Sequence, residues 1–141
     1  MEEYLVFARN HPVLILGLVA ILGMIIWTEI GRFTRKYKQV NSAEAVQILN
    51  RDGSLVLDVR EDNELRGGKI KGARHIPLGQ LKNRLGELEQ AREKPVLVYC
   101  RSGNRSAYAC HLMTKAGFQD VSNLAGGIVA WESANLPVSK R

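Results

Sequence analysis

Cys100-Arg101-Ser102-Gly103-Asn104-Arg105-Ser106 holds the residue types in this chain best suited to chemistry. A thiol comes first, two guanidinium groups follow, and a glycine stands between them. Pro95 to Tyr99, just before the thiol, is an apolar run that reads as a buried strand. Arg105 to Ala116 reads as a helix, with Gly117 as its stop. A thiol between a strand end and a helix N-terminus sits in the positive field of unpaired amides. That field lowers its pKa, and the thiolate is the nucleophilic form. Gly103 permits a tight turn, so several N–H groups can converge as an anion-binding nest. Arg101 and Arg105 add two fixed positive charges. Cys100 is therefore the candidate nucleophile, and Arg101, Ser102, Gly103, Asn104 and Arg105 are the candidate groups for holding an anionic substrate. A lone cysteine after an apolar strand is ordinarily a small buried hydrophobe. The arginines, the glycine and the helix that follows set this one apart.

The elements that must position this loop can be read on either side of it. Asn41-Ser42-Ala43-Glu44 has the form of a capping box, opening a helix through Leu49. Leu55 to Val59, after Asp52-Gly53, is a second buried strand. Glu61 to Arg66 reads as a helical turn ended by Gly67-Gly68, and Arg74 to Pro77 as a short strand. Leu78, Leu81, Leu85 and Leu88 have helical spacing. Val121 to Leu124 is a last strand and Ile128 to Ala134 a last helix. Strands alternating with helices, each strand continuously apolar, predict an α/β fold: a parallel sheet of about five short strands with helices on both faces. Ligands of such sheets bind beyond the carboxyl ends of the strands, where Cys100 falls. Asp58 ends another strand and is expected near the loop, as a structural carboxylate that orients Arg60 or a loop arginine. Cys110 lies on the helix after the loop and reads as an inert core thiol. His75 and His111 have no partner visible in the sequence. Gly126-Gly127 reads as a tight turn, and Trp131 as a core or capping residue.

The chain has 141 residues, enough for one folded domain. Its hydrophobicity is unevenly placed, and Pro12 to Thr28 has no charged side chain. An apolar stretch of that length, with Trp27 at one end, is expected to cross a bilayer. Glu2 and Glu3 in the leader, and Glu29-Ile30-Gly31-Arg32 after the stretch, fit neither the basic start nor the cleavage site of a signal peptide. Arg9 precedes the stretch, while Arg32, Arg35, Lys36 and Lys38 follow it. The positive-inside rule then puts the C-terminal domain in the cytoplasm. The expected organisation is a short extracytoplasmic segment 1–11, a transmembrane helix 12–31, a basic linker 32–40 and a soluble domain 41–141. The net charge of +6 is spread without a basic, aromatic-interleaved stripe, which speaks against nucleic-acid binding. Two cysteines ten positions apart make neither a disulfide framework nor a zinc site, and suit a reducing compartment.

Four motifs carry a family resemblance. The Cys100–Ser106 segment resembles the active-site loop of single-domain rhodaneses. Leu57-Asp58-Val59-Arg60-Glu61 is similar to that family's early strand-end signature, and Gly72-Ala73 with Ile76-Pro77 to its next pair. Leu124-Ala125-Gly126-Gly127-Ile128-Val129-Ala130-Trp131 is similar to its C-terminal element. The order is the family's, and the motifs span nearly all of the soluble part. Lys69 departs from the pattern, since many members have histidine there; no catalytic consequence is expected. The anchor-plus-domain layout resembles the membrane-anchored YibN type, implying a bacterial inner membrane.

The resemblance implies a sulfurtransferase that works through a persulfide on Cys100. Its donor would be thiosulfate or a persulfide, and its acceptor cyanide or a thiol, a protein thiol included. No metal or organic cofactor is implied. Related cysteine phosphatases place five residues between cysteine and arginine. Here four separate Cys100 from Arg105, a ring sized for sulfur. A domain used only to dock a membrane partner is the alternative, and it would not need a thiol at position 100.

Overall fold

The computed structural model describes residues 2–33 and 35–140. Thr34, in the expected linker, and the side chains of Arg32 and Phe33 lie outside that description. The chain forms two units, residues 1–35 and residues 36–141.

The first unit is helical. Helix α1 spans Glu2–Asn10 and α2 spans Pro12–Phe33. Acidic Glu2 and Glu3 in the first turn of α1, and Arg9 in its last, complement the helix dipole. Pro12 opens α2 at the position where a missing N–H costs nothing. The 20 residues Pro12–Gly31 are apolar, and none is buried against protein. At 1.5 Å per residue the stretch is about 30 Å long, the thickness of a hydrocarbon core. The helix is thus long and apolar enough to cross a membrane.

The second unit is a five-stranded, all-parallel sheet in the order β1-β5-β4-β2-β3. Its strands are β1 (Lys38–Val40), β2 (Leu55–Asp58), β3 (Arg74–His75), β4 (Pro95–Tyr99) and β5 (Asp120–Leu124). The connections carry helices α3 (Ser42–Leu49), α4 (Leu78–Arg84) and α5 (Asn104–Lys115), and α6 (Gly127–Ser133) follows β5. The expected parallel α/β architecture is present. The capping box is there too: Asn41 Oδ1 accepts from the Glu44 amide at 2.9 Å, and Glu44 Oε2 from the Asn41 amide at 2.8 Å. Such a cap stabilises a helix by about 1 kcal/mol.

Two expectations change. Lys38–Val40, read as linker, is an edge strand paired with Ser122–Leu124. Only Val40 of its three residues is buried, so it lacks the apolar run that marks the other strands. The helix expected over Leu78–Leu88 tightens after Arg84 into a 3-10 helix, Leu85–Ala91.

The core has two halves, one on each face of the sheet, and β4 divides its side chains between them. Val96, Val98 and then Cys100 face Leu57, Leu81, Ala109, Cys110 and Met113. Leu97 and Tyr99 face Ala45, Ile48, Leu124, Ile128 and Trp131. This alternation decides which way Cys100 points.

Candidate functional site

Cys100 is the first residue beyond β4, and its side chain is wholly buried. Its Sγ accepts the Gly103 amide at 3.1 Å and lies 3.3 Å from Ser106 Oγ. Burial acts to raise the thiol pKa. The hydrogen bonds of the Ser106 hydroxyl and of the Ser106, Gly103 and Ser102 amides outweigh it, and the pKa is lowered. The loop gathers backbone amides and a hydroxyl around the sulfur, the arrangement of an anion nest.

The nest holds because the loop's carbonyls are bound from outside. The Cys100 carbonyl accepts the Ile128 amide at 2.9 Å, and the Arg101 carbonyl accepts the Val129 amide at 3.3 Å. Asn123 Nδ2 donates to the Gly103 carbonyl at 3.1 Å. With those oxygens turned away, the amides face the sulfur. Two glycines make this possible. Gly103 caps α5 with φ +99°, a left-handed conformation, and a Cβ there would come within 3.2 Å of the Gly126 nitrogen. Gly127 has φ +59°, and its Cβ would collide with the Cys100 and Arg101 carbonyl oxygens.

Asp58 and Arg60 form a buried pair. Arg60 Nη2 lies 2.7 Å from Asp58 Oδ2, and Arg60 also donates to the carbonyls of Glu64 (3.2 Å) and Gly68 (2.9 Å). The carboxylate thus orients Arg60, and Arg60 pins the 3-10 helix Asp62–Gly67. His75, with no partner visible in sequence, meets the Arg60 carbonyl at 2.6 Å.

Arg105 has a partner that the sequence did not show. Its two terminal nitrogens bind both Glu64 carboxylate oxygens at 2.7 Å each. Hydrogen bonding from Arg105 holds the Glu64 carboxyl down at about 2, and Arg105 is raised in return. The charge of Arg105 is thus compensated by Glu64. Arg101 is exposed and makes no ion pair with any described residue. It lines a cleft of about 210 Å³ beside the loop, together with Arg60, Glu64, Gly67, Ile128, Val129 and Glu132.

Among the loop residues, Cys100, Gly103 and Arg101 thus stand at the sulfur or the cleft, Ser102 offers its amide, Asn104 begins α5, and Arg105 is tied to Glu64. Ser106, Glu64 and Asn123 were not singled out. Ser106 could have been found as the first-turn hydroxyl after the glycine. Glu64 and Asn123 reach the loop from 41 and 20 residues away in sequence, with no local signal. Cys110 is buried at 0% exposure with its thiol pushed up by desolvation, which fits an inert core thiol.

Fold and site together define a class: a doubly covered parallel α/β domain presenting a cysteine sulfur in a strand-to-helix amide nest. Residues 41–134 match the family described as the rhodanese-like domain, and the chain belongs to that family. YibN of Escherichia coli (strain K12) is 33% identical over 139 residues, covering 98% of this chain and 97% of that one. A protein of Allochromatium vinosum named as a sulfurtransferase is 38% identical over 60% of this chain and 77% of its own. Among solved structures, a rhodanese-related protein from Thermoplasma volcanium superposes with a TM-score of 0.67 at 34% identity, covering 74% of this chain and 100% of that one.

Proposed function

We propose that this chain is a membrane-anchored sulfurtransferase that holds sulfane sulfur as a persulfide on Cys100. The observation that carries it is the sulfur nest: Sγ beside the Gly103 amide and the Ser106 hydroxyl, with its pKa lowered despite complete burial. That surrounding stabilises a thiolate, and then the terminal sulfur of a persulfide, as an oxyanion hole stabilises oxygen.

In the first step the Cys100 thiolate attacks the outer sulfur of thiosulfate or of a persulfide donor. The new Sγ–S bond forms as the donor's S–S bond breaks, and sulfite or a thiolate leaves with the electron pair. In the second step a thiol or cyanide takes the terminal sulfur and returns the Cys100 thiolate. This is covalent catalysis by two displacements. Asp58 and Arg60 support the site by holding the Glu64 turn. The apolar α2 serves as a single-pass anchor in a bacterial inner membrane, and the basic excess after it puts the domain on the cytoplasmic side.

Intact-mass spectrometry after thiosulfate treatment tests this. The wild type is expected to gain the mass of one sulfur atom, and Cys100→Ser to gain none while keeping its fold. A serine variant with full thiosulfate:cyanide activity would sink the assignment. Failure of the wild type to take up sulfur from any donor would favour a docking role. Labelling of Lys36 and Lys38 by a membrane-impermeant amine reagent in spheroplasts would contradict the orientation.

A further inference from the structure

The charges around the loop are balanced, and this bears on which sulfur donor fits. Arg101 and Arg105 belong to the loop, and Arg60 lines the cleft beside it with Arg101. Arg60 is spent on Asp58 and on two carbonyls, and Arg105 on both oxygens of Glu64. Of the three, Arg101 makes no ion pair with any described residue, and the exposed Glu132 lines the same cleft. With Arg60 set against Asp58 and Arg105 against Glu64, the charge of Arg101 is matched along that lining by Glu132.

We infer that the donor this site is built for is the persulfide of a thiol compound, R–S–SH, in preference to thiosulfate, and that Glu64 is the residue that sets this preference. The inference rests on the sulfurtransferase reading above. Thiosulfate carries two negative charges on a small body and releases sulfite, which carries two as well. Leaving water for a cleft whose one cation without an ion pair, Arg101, is matched by Glu132 is costly for an ion of charge two. Freeing Arg105 to receive it would break a two-pronged, charge-assisted pair, which is the strong kind. A thiol persulfide asks for less. Its outer sulfur needs only the loop amides, and the R group can lie against Ile128 and Val129, which line the cleft. The step balances without a further reactant. The Cys100 thiolate bonds to the outer sulfur, the R–S to S bond breaks, and RS⁻ leaves. The hydrogen and the sulfane sulfur stay on Cys100 as Cys–S–SH, with no net oxidation.

Glu64 acts through Arg105, so it is a positioning residue, and its effect should appear in KM and not in kcat. The test is steady-state kinetics of the full-length protein in detergent, with thiosulfate and with cysteine persulfide as donors. Wild type is expected to use cysteine persulfide with a kcat/KM at least about tenfold above that for thiosulfate, the scale of one uncompensated charge at the site. Glu64→Gln keeps an oxygen to accept the Glu61 amide and releases the charge of Arg105. It is expected to lower KM for thiosulfate about five- to tenfold with kcat within about twofold, after solvent screening. Its kcat/KM for cysteine persulfide should change by a smaller factor than its kcat/KM for thiosulfate. Glu132→Gln, an exposed change that leaves the nest intact, should lower KM for thiosulfate in the same direction.

Two results would overturn the inference while leaving the sulfurtransferase reading standing. One is a wild type that prefers thiosulfate. The other is a Glu64→Gln and Glu132→Gln pair that both load sulfur with KM for thiosulfate unchanged or raised. If neither donor adds sulfur to wild-type Cys100, the reading beneath the inference fails first.

Discussion

Ser106→Ala isolates the side-chain contribution to the sulfur nest. The hydroxyl lies 3.3 Å from Sγ at a buried position, so no water replaces it when it is removed. A hydrogen bond to a charged group contributes about 1.5–3 kcal/mol, and the length of this one argues for about 1.5 kcal/mol. At a pH below the thiol midpoint, that lowers the thiolate population about twelvefold. A more basic thiolate is also more nucleophilic, with a Brønsted exponent of about 0.4–0.5, which recovers about threefold. Alkylation of Cys100 by iodoacetamide should thus be about fourfold slower at low pH and about threefold faster on the high-pH plateau. The two pH–rate curves should cross. The backbone donors, including Gly103 at 3.1 Å, stay in place, so the fold should not change. Superimposable curves would refute the claim that Ser106 stabilises the thiolate. A uniform loss at every pH would point to distortion of the loop.

Glu64 should make stability depend on acid pH. Its carboxyl is lowered from 4.5 to about 2 by Arg105, so its contribution is complete above pH 4.5 and is lost as pH falls through about 2. Because Arg105 is about one-third exposed, that contribution is set at about 1–2 kcal/mol after solvent screening. Urea midpoints should therefore drop more steeply between pH 4.5 and 2 for wild type than for Glu64→Gln, and parallel slopes would contradict the pairing. Gly127→Ala forces a Cβ onto two loop carbonyls at positive φ and should cost more than about 2 kcal/mol in thermal unfolding, with loss of sulfur loading. Gly86→Ala, with open space around it, should stay within about 0.5 kcal/mol of wild type. Cys110, buried and with its thiol pushed up by desolvation, should stay unmodified by iodoacetamide at pH 8 in the native protein; Cys110→Ala should still load sulfur on Cys100. Peptide mapping that finds Cys110 labelled as fast as Cys100 would refute this.

What the sequence alone determined was whatever neighbouring residues decide among themselves. The apolar stretch from Pro12, the capping box at Asn41, the buried run Pro95–Tyr99 and the strand–thiol–glycine–helix order around Cys100 are all local patterns. Their physics acts within a few residues, through helical period, capping and φ at a glycine. The α/β class followed from their alternation. The tertiary structure decided what has no local signal. Lys38–Val40 becomes a strand only because β5 offers it an edge. Asp58 and Arg60 are two residues apart, yet their purpose is visible only once Arg60 reaches Gly68. Glu64 neutralises Arg105 across 41 residues, and the Ile128 amide turns the Cys100 carbonyl out of the nest from 28 positions on. Such contacts close only when the order β1-β5-β4-β2-β3 brings strand ends together. The thiol in its strand-to-helix loop was legible in the sequence, but the balance of charge around it was not, because charge compensation depends on distance through space.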